Sequence, residues 1–336
     1  MINYSQIEKF DCSGMHKVYD NWPHIAKSAW DSNIEPVNFK DVNHIVFSGM
    51  GGSGAIGDLF LSILSKTSIH VTIVKGYLLP KTVDSKTLVV ATSVSGNTVE
   101  TITTVESATK LGCKMICFSS GGKLEEFCKQ NNIQHRKIPI HNNPRASFPA
   151  YVYGILKTLN SVLPIDKKSV ETSISQMEGL SERICTKNLT DSNPSLNLAK
   201  WMSNISMIYY PWGLQAAAIR FKNSIQENTK NHAMIEDVIE ACHNGIVSWE
   251  GDSDVKPILI RGTEDYLKTK ERWEIIKNYF KEKKIDFKEI TSVDGDVLSK
   301  IINLIYLLDF ATIYRAVLNG TDPFPVRAID YIKERL

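Results

Sequence analysis

The stretch NHIVFSGMGGSGAIGDLFLSILSK, residues 43–66, decides the fold of this chain. A short apolar run, NHIVFSG, leads through a glycine-rich turn into a segment whose apolar residues have helical spacing. Three more β-branched runs follow at 69–76, 86–93 and 114–120. Short, continuously apolar strands that alternate with helices are typical of a parallel sheet covered on both faces. We therefore predict a three-layer α/β/α domain over residues 40–165.

The strand–helix alternation repeats in the carboxyl-terminal half of the chain. The polar segment NLTDSNPSLN (188–197) is interpreted as a linker, because Asn, Asp, Ser and Pro cluster there. We predict an N-terminal helical arm over 1–39, a helical connection and linker over 166–197, and a second α/β domain with a C-terminal helix over 198–336. The predicted strands of the second domain are 206–213, 256–265 and 285–292, and its predicted helices are 214–226, 266–283, 297–318 and a short one from Val326.

Composition and charge exclude several classes of protein. The 336 residues carry a formal net charge of +2 without a basic run, which argues against a nucleic-acid partner. The amino-terminal residues lack the pattern of a secretory signal, and Asp309 and Arg315 interrupt the most apolar segment, 301–318, so we expect a buried helix and no membrane partner. The six cysteines show no repeated metal-like pairing and are interpreted as reduced thiols of a cytoplasmic protein, with a zinc pair of Cys113 and Cys117 as the alternative. We expect no metal and no other cofactor.

The first turn, between Ser48 and Asp58, is suited to an anion. Its glycines allow a sharp bend and a close approach to backbone N–H groups, and the helix that follows adds a positive dipole end. The turn also matches the dinucleotide pattern G-x-G-x-x-G through Gly49, Gly51 and Gly54. That pattern needs an acid at the end of the next strand, where Lys75 stands, so a phosphate group is favoured over a nicotinamide cofactor.

The second turn, SVSGNTVET from Ser93, places hydroxyl groups and a glycine at another strand-to-helix junction. One alternative is simple N-capping, in which Ser95, Asn97 or Thr98 satisfies the donors of the helix. In a parallel sheet, however, both turns lie at the carboxyl ends of their strands and can face one ligand at the point where strand order reverses. We therefore predict that the two turns bind a phosphomonoester.

These two turns resemble those of the sugar isomerase (SIS) domain. Further segments narrow the resemblance: NPRASFPAYVYGIL (143–156), SIQENTKNHA (224–233), CHNGIV (242–247) and IDYIKERL (329–336). Together they resemble the bifunctional phosphoglucose/phosphomannose isomerase family. The resemblance implies an α/β fold of two SIS-type three-layer α/β/α domains with mainly parallel sheets. It also implies aldose–ketose isomerisation of a hexose 6-phosphate, with glucose 6-phosphate and mannose 6-phosphate as substrates that give fructose 6-phosphate.

The resemblance also implies roles for individual residues. Glu227 corresponds to the general base of a metal-independent cis-enediol proton shuttle, and Arg145 to the arginine that stabilises the charged intermediate. His243 corresponds to the acid/base that opens the sugar ring, with Lys333 as its companion. Family members form homodimers in which the neighbouring subunit supplies the histidine. The implied phosphate ligands are Gly51, Gly52, Ser53, Ser93, Ser95 and Thr98.

Taken alone, each of these residues has an alternative interpretation. Glu227 resembles a solvated residue at a helix end, and Lys333 a solvated terminal lysine. Arg145 opens a predicted helix, where a cation is poorly placed for the helix dipole, although an exposed arginine is the simpler alternative. His232, which we expect in a loop, is the second candidate for the role of His243. An aminosugar or heptose phosphate isomerase and a non-catalytic sugar-phosphate sensor are the alternative functions.

Overall fold

The computed structural model describes residues 2–335, which form two compact units. The first unit comprises Asn21–Gln176 and Gly295–Ile301, and the second unit comprises the other described residues. The first unit contains a five-stranded sheet and the second a four-stranded sheet, and every strand pairing in both is parallel. The predicted α/β fold with two mainly parallel sheets is confirmed.

Helices and strands alternate along most of the chain. Up to residue 184 the elements are α1 (Tyr4–Phe10), α2 (Met15–Asp20), α3 (Trp22–Trp30), β1 (His44–Ser48), α4 (Gly51–Leu64), β2 (His70–Val74), β3 (Leu88–Thr92), α5 (Val99–Lys110), β4 (Lys114–Ser119), α6 (Gly122–Gln130), β5 (Gln134–Lys137), α7 (Phe148–Thr158) and α8 (Lys167–Ile184). They continue with α9 (Pro194–Trp201), β6 (Ile205–Tyr210), α10 (Gln215–Ser224), a π-helical turn (Ile225–Thr229), β7 (His232–Asp237), α11 (Val238–Ala241), a 3₁₀ helix (Gly245–Glu250), β8 (Lys256–Arg261), α12 (Leu267–Glu282), β9 (Lys288–Thr291), α13 (Val297–Leu318) and α14 (Arg327–Lys333).

The first sheet has the strand order β2-β1-β3-β4-β5. All residues of its central strands β1 and β3 are buried, which explains their uninterrupted apolar sequences. The chain crosses from β1 to β2 on one side and continues with β3 on the other, so strand order reverses between β1 and β3. The sequence did not predict β5, because this edge strand, QHRK, is polar and has no buried residue.

The second sheet has the strand order β7-β6-β8-β9. The expectation that His232 lies in a loop is wrong, because His232 is the first residue of the edge strand β7 and is paired with Ile205. Polar residues at both ends of this strand, His232 at one and Glu236 and Asp237 at the other, conceal its strand character in the sequence.

Helix α13, with 22 residues, is the longest helix of the described chain and is strongly apolar. By length and composition alone it is the one helix within residues 2–335 that could cross a membrane, but 83% of its apolar window is buried inside the protein. Asp309 lies on α13, is fully buried, and accepts hydrogen bonds from Arg220 on α10. The predicted buried helix over 297–318 is therefore confirmed, with a charged residue at its centre.

Candidate functional site

The two glycine- and hydroxyl-containing turns of the first unit meet where strand order reverses. One follows β1 and the other follows β3, and these strands are paired neighbours. A side chain added at Gly49 would approach the backbone oxygen of Thr92 to 2.9 Å and Ser53 to 3.0 Å. Only glycine fits so close a contact between two turns. The structure therefore brings together the segments that the sequence predicted to share one ligand.

Helices α4 and α5 both begin at this place with exposed or partly exposed backbone. Their N-cap residues, Met50 and Thr98, make no side-chain cap hydrogen bond to any described residue. The Thr98 hydroxyl is instead paired with that of Ser93, at 2.8 Å between the oxygens. Since the first N–H groups of a helix have no partner within it and carry partial positive charge, two such starts side by side can bind an anion.

The turn after β3 is also fixed to the turn between β4 and α6. Gly96 has φ +71°, and a side chain there would overlap the carbonyl oxygen of Gly121. The Asn97 side chain accepts a hydrogen bond from the backbone of Lys123 at 3.1 Å and donates one to the carbonyl of Ser95 at 3.2 Å. Asn97 therefore caps α6, the neighbouring helix, while Ser95 remains exposed at the tip of the turn.

Lys75 directly follows β2, at the position where a dinucleotide site would have a carboxylate. Its ammonium group binds both carboxylate oxygens of Asp58 on α4, at 2.6 and 2.8 Å. The Lys75 side chain also covers Gly54, where an added Cβ would lie 3.1 Å from the lysine Cε. This arrangement places a cation where the ribose of a dinucleotide would need an acceptor, and it agrees with the preference for a phosphomonoester.

Arg145 lies in the turn that precedes α7, and not in the first turn of a helix as the sequence suggested. It is only 5% exposed, so the interpretation as an exposed arginine is wrong. Hydrogen bonds hold the neighbouring backbone: Asn143 accepts from the N–H of Ala146, and the indole of Trp22 donates to the Ala146 carbonyl. The Tyr151 hydroxyl, one turn into α7, reaches the carbonyl of Val94, which lies between Ser93 and Ser95. Arg145 is thus fixed at the same edge of the first sheet.

Glu227 lies in the second unit, in the π-helical turn that follows α10. The predicted helix 214–226 ends at Ser224, and the π-helical turn then continues to Thr229. Such turns contain one extra residue and are frequent at functional sites. Burial alone would lower the pKa of Arg220, but interactions with Asp309, Tyr19 and Glu227 raise this pKa overall. The carboxylate of Glu227 therefore lies within electrostatic reach of a buried guanidinium group.

His243 and Glu227 lie towards opposite ends of strand β7 in the second sheet. The π-helical turn leads into the amino end of β7, whereas His243 follows its carboxyl end, and six strand residues span about 20 Å. Lys333 is on α14, whose residues are all exposed. The chain leading to α14 starts beside the π-helical turn, because the Lys230 ammonium bridges the carbonyls of Glu227 and Pro323. Within the second unit, Glu227 therefore lies near Pro323, where the C-terminal segment starts, and His243 lies apart from both.

Comparison with known proteins identifies the family. The SIS domain model matches residues 38–147, and the model described as the bacterial phospho-glucose isomerase C-terminal SIS domain matches residues 191–336. The C-terminal domain of glucosamine-fructose-6-phosphate aminotransferase from Francisella tularensis shares the fold, with a TM-score of 0.65, 15% identity, and coverage of 92% of this chain and 96% of that one.

Two curated relatives match most of the chain. D-glucosamine-6-phosphate 4-epimerase from Sulfolobus acidocaldarius is 31% identical over 69% of this chain and 72% of the relative. Bifunctional phosphoglucose/phosphomannose isomerase from Caldicellulosiruptor bescii is 32% identical over 94% of this chain and 97% of the relative. With this near-complete coverage and both SIS domain matches, the chain belongs to the bifunctional phosphoglucose/phosphomannose isomerase family.

Proposed function

We propose that this protein interconverts glucose 6-phosphate and fructose 6-phosphate, and mannose 6-phosphate and fructose 6-phosphate. The observation that carries the proposal is the meeting of two helix starts, α4 and α5, at the strand-order reversal of the first sheet. In a chain of this family, that geometry supports binding of the sugar phosphate by Gly51, Gly52, Ser53, Ser93, Ser95 and Thr98.

The proposed reaction moves one proton between neighbouring carbons. The Glu227 carboxylate removes the proton from C2 of the open-chain aldose, and electrons shift to the C1 carbonyl to give a cis-enediolate. Arg145 offsets the negative charge of that intermediate while the proton of the C2 hydroxyl passes to the C1 oxygen. Glu227 then returns its proton to C1, and the C2 oxygen becomes the carbonyl of the ketose. His243 and Lys333 transfer protons to and from the ring oxygen and hydroxyl during ring opening. Protein side chains alone supply this route.

We further propose that the protein acts as a cytoplasmic homodimer with shared active sites, and with neither nucleic acid nor membrane as partner. The separation of Glu227 from His243 within one chain supports a site completed by the partner's His243. An unburied apolar surface on α14 also supports the dimer, because Ile329, Tyr331 and Ile332 are 38%, 59% and 59% exposed.

A substrate panel tests the proposed reaction. With a metal chelator present, we expect glucose 6-phosphate and mannose 6-phosphate to give fructose 6-phosphate, and deuterated water to label the carbon that receives the proton. The Sulfolobus acidocaldarius relative favours one second candidate, a reaction of glucosamine 6-phosphate at C4. Turnover of glucosamine 6-phosphate alone would select that candidate, and binding without turnover of any sugar phosphate would indicate a sensor.

Replacement of Thr98 by Val tests the phosphate site. The variant loses one hydroxyl at the start of α5 and leaves Ser93 without its 2.8 Å partner. Because a hydrogen bond to a charged group contributes about 1.5–3 kcal/mol, KM for the sugar phosphate should rise about 10- to 100-fold. Thr109→Val is the matched control, since the Thr109 hydroxyl bonds only to Val105 within the same helix and to Met115. Equal KM values for the two variants would exclude Thr98 from the site.

A further inference from the structure

A buried charged cluster in the second unit joins the Glu227 segment to α13. Asp309 accepts hydrogen bonds from Nε and Nη2 of Arg220 at 2.9 and 2.7 Å, and from the Ser224 hydroxyl at 2.6 Å. The Tyr19 hydroxyl from α2 reaches the same carboxylate at 3.4 Å. Arg220 and Asp309 are 1% and 0% exposed. An ion pair at such depth costs several kcal/mol per ion in desolvation, so packing alone does not explain its presence.

The cluster is hydrogen-bonded to the chain on both sides of Glu227. Arg220 and Ser224 bind Asp309 before the π-helical turn, and within the turn the Asn228 amide donates to the Thr312 hydroxyl at 2.7 Å. The Thr312 hydroxyl in turn donates to the Asp309 carbonyl at 2.6 Å. These attachments, spaced four residues apart, anchor one face of α10 and of the π-helical turn to a single turn of α13. The backbone of the π-helical turn is thereby fixed relative to α13.

The two attachments end on the same turn of α13. One ends at the Asp309 carboxylate, which accepts from Arg220 and Ser224, and the other reaches the Asp309 carbonyl through the Thr312 hydroxyl. Glu227 lies between these attachments along the chain, so its backbone is held from both sides. We propose that Asp309, acting through Arg220 and Thr312, is a positioning residue that holds the π-helical turn and with it the side chain of Glu227.

The inference rests on the proposed role of Glu227 and predicts a split between kcat and KM. In Asp309→Asn the carboxylate that holds Arg220 and Ser224 is lost, so Glu227 is displaced and kcat should fall roughly 10- to 100-fold. KM should stay close to wild type, since the proposed phosphate ligands belong to the other unit. A purely structural role of Asp309 would lower the amount of folded protein without lowering kcat of the folded fraction. A folded Asp309→Asn enzyme with wild-type kcat would overturn the proposal.

Thr312→Val tests the second attachment and protects the test against misfolding. Removing one partner of a buried ion pair is strongly destabilising, so Asp309→Asn must first pass circular dichroism and thermal melting. Thr312→Val keeps every charge and removes the hydroxyl that accepts from Asn228 and donates to the Asp309 carbonyl. It should lower kcat roughly 3- to 10-fold, with KM unchanged. Wild-type kcat in Thr312→Val would overturn the proposal even if Asp309→Asn cannot be purified.

Asp286→Asn is the matched control for loss of a carboxylate in the same unit. Asp286 binds Lys256 at 2.6 Å and the Trp201 indole at 2.7 Å, on elements that carry none of the proposed site. It should change neither kcat nor KM. A wild-type enzyme without isomerase activity, or an active Glu227→Gln enzyme, would defeat the proposed function. An inactive Glu227→Gln beside wild-type behaviour of Asp309→Asn and Thr312→Val would defeat this inference alone.

Discussion

Glu227→Gln should lower kcat for glucose 6-phosphate isomerisation by about 10²–10⁴-fold, the range that a positioned general base contributes. Glutamine keeps the size of the side chain but cannot accept the C2 proton at neutral pH. The proposed phosphate-binding turns belong to a different unit from Glu227, so KM and equilibrium binding of the sugar phosphate should stay close to wild type. The measurement is steady-state kinetics together with calorimetric titration of the inactive variant with fructose 6-phosphate.

The control for this substitution is Glu282→Gln. Glu282 is an exposed residue at the end of α12, so the variant makes the same chemical change at a distance from the proposed site. It should retain wild-type kinetics. Deuterium incorporation from solvent provides a second readout, because an enzyme that cannot remove the proton should not label the sugar. A Glu227→Gln enzyme with wild-type kcat would remove Glu227 from the mechanism.

Gly96→Ala should produce the largest loss of stability among single substitutions in the proposed phosphate-binding turns. The added Cβ would overlap the Gly121 carbonyl, and alanine would be held at φ +71°. Left-handed backbone costs about 1–2 kcal/mol, and the overlap with a backbone atom raises the expected loss to about 4 kcal/mol. The melting temperature should fall by about 8–16 °C. Scanning calorimetry measures it, and KM for the sugar phosphate should rise because Ser93 and Thr98 flank the displaced residue.

Gly112→Ala isolates the steric part of this effect. Gly112 has φ +68°, almost the same as Gly96, but an added Cβ there meets no described heavy atom within 4 Å. It should cost only the conformational strain of about 1–2 kcal/mol and leave KM unchanged. Equal losses of stability in the two variants would show that the contact between Gly96 and Gly121 is not the reason why this turn needs glycine.

The sequence predicted the elements in which buried residues follow a regular pattern along the chain. β1 and β3 are buried along their whole length, and their apolar runs identified them. Because the carboxyl ends of parallel strands lie at one edge of a sheet, the sequence alone also predicted that the turns after β1 and β3 lie side by side. The edge strands β5 and β7 escaped prediction, since an edge strand has one pairing partner and tolerates polar residues.

The environment of the proposed catalytic residues could not be predicted in the same way. The burial of Arg145 depends on packing by distant residues such as Trp22, and no local pattern marks it. The π-helical turn around Glu227 depends on anchors supplied by α13, more than 80 residues later in the chain. In the sequence Asp309 only interrupted an apolar segment, and its pairing with Arg220 became visible once both helices were in place.

The interlocked turns of the first unit restrict how this enzyme can change during evolution. Gly49 packs against the end of β3, and Gly96 packs against the turn after β4, so a substitution in one of these turns requires compensating changes in its neighbours. A lineage that acquires a new sugar substrate would therefore keep these turns, and sequence change would accumulate in other parts of the chain.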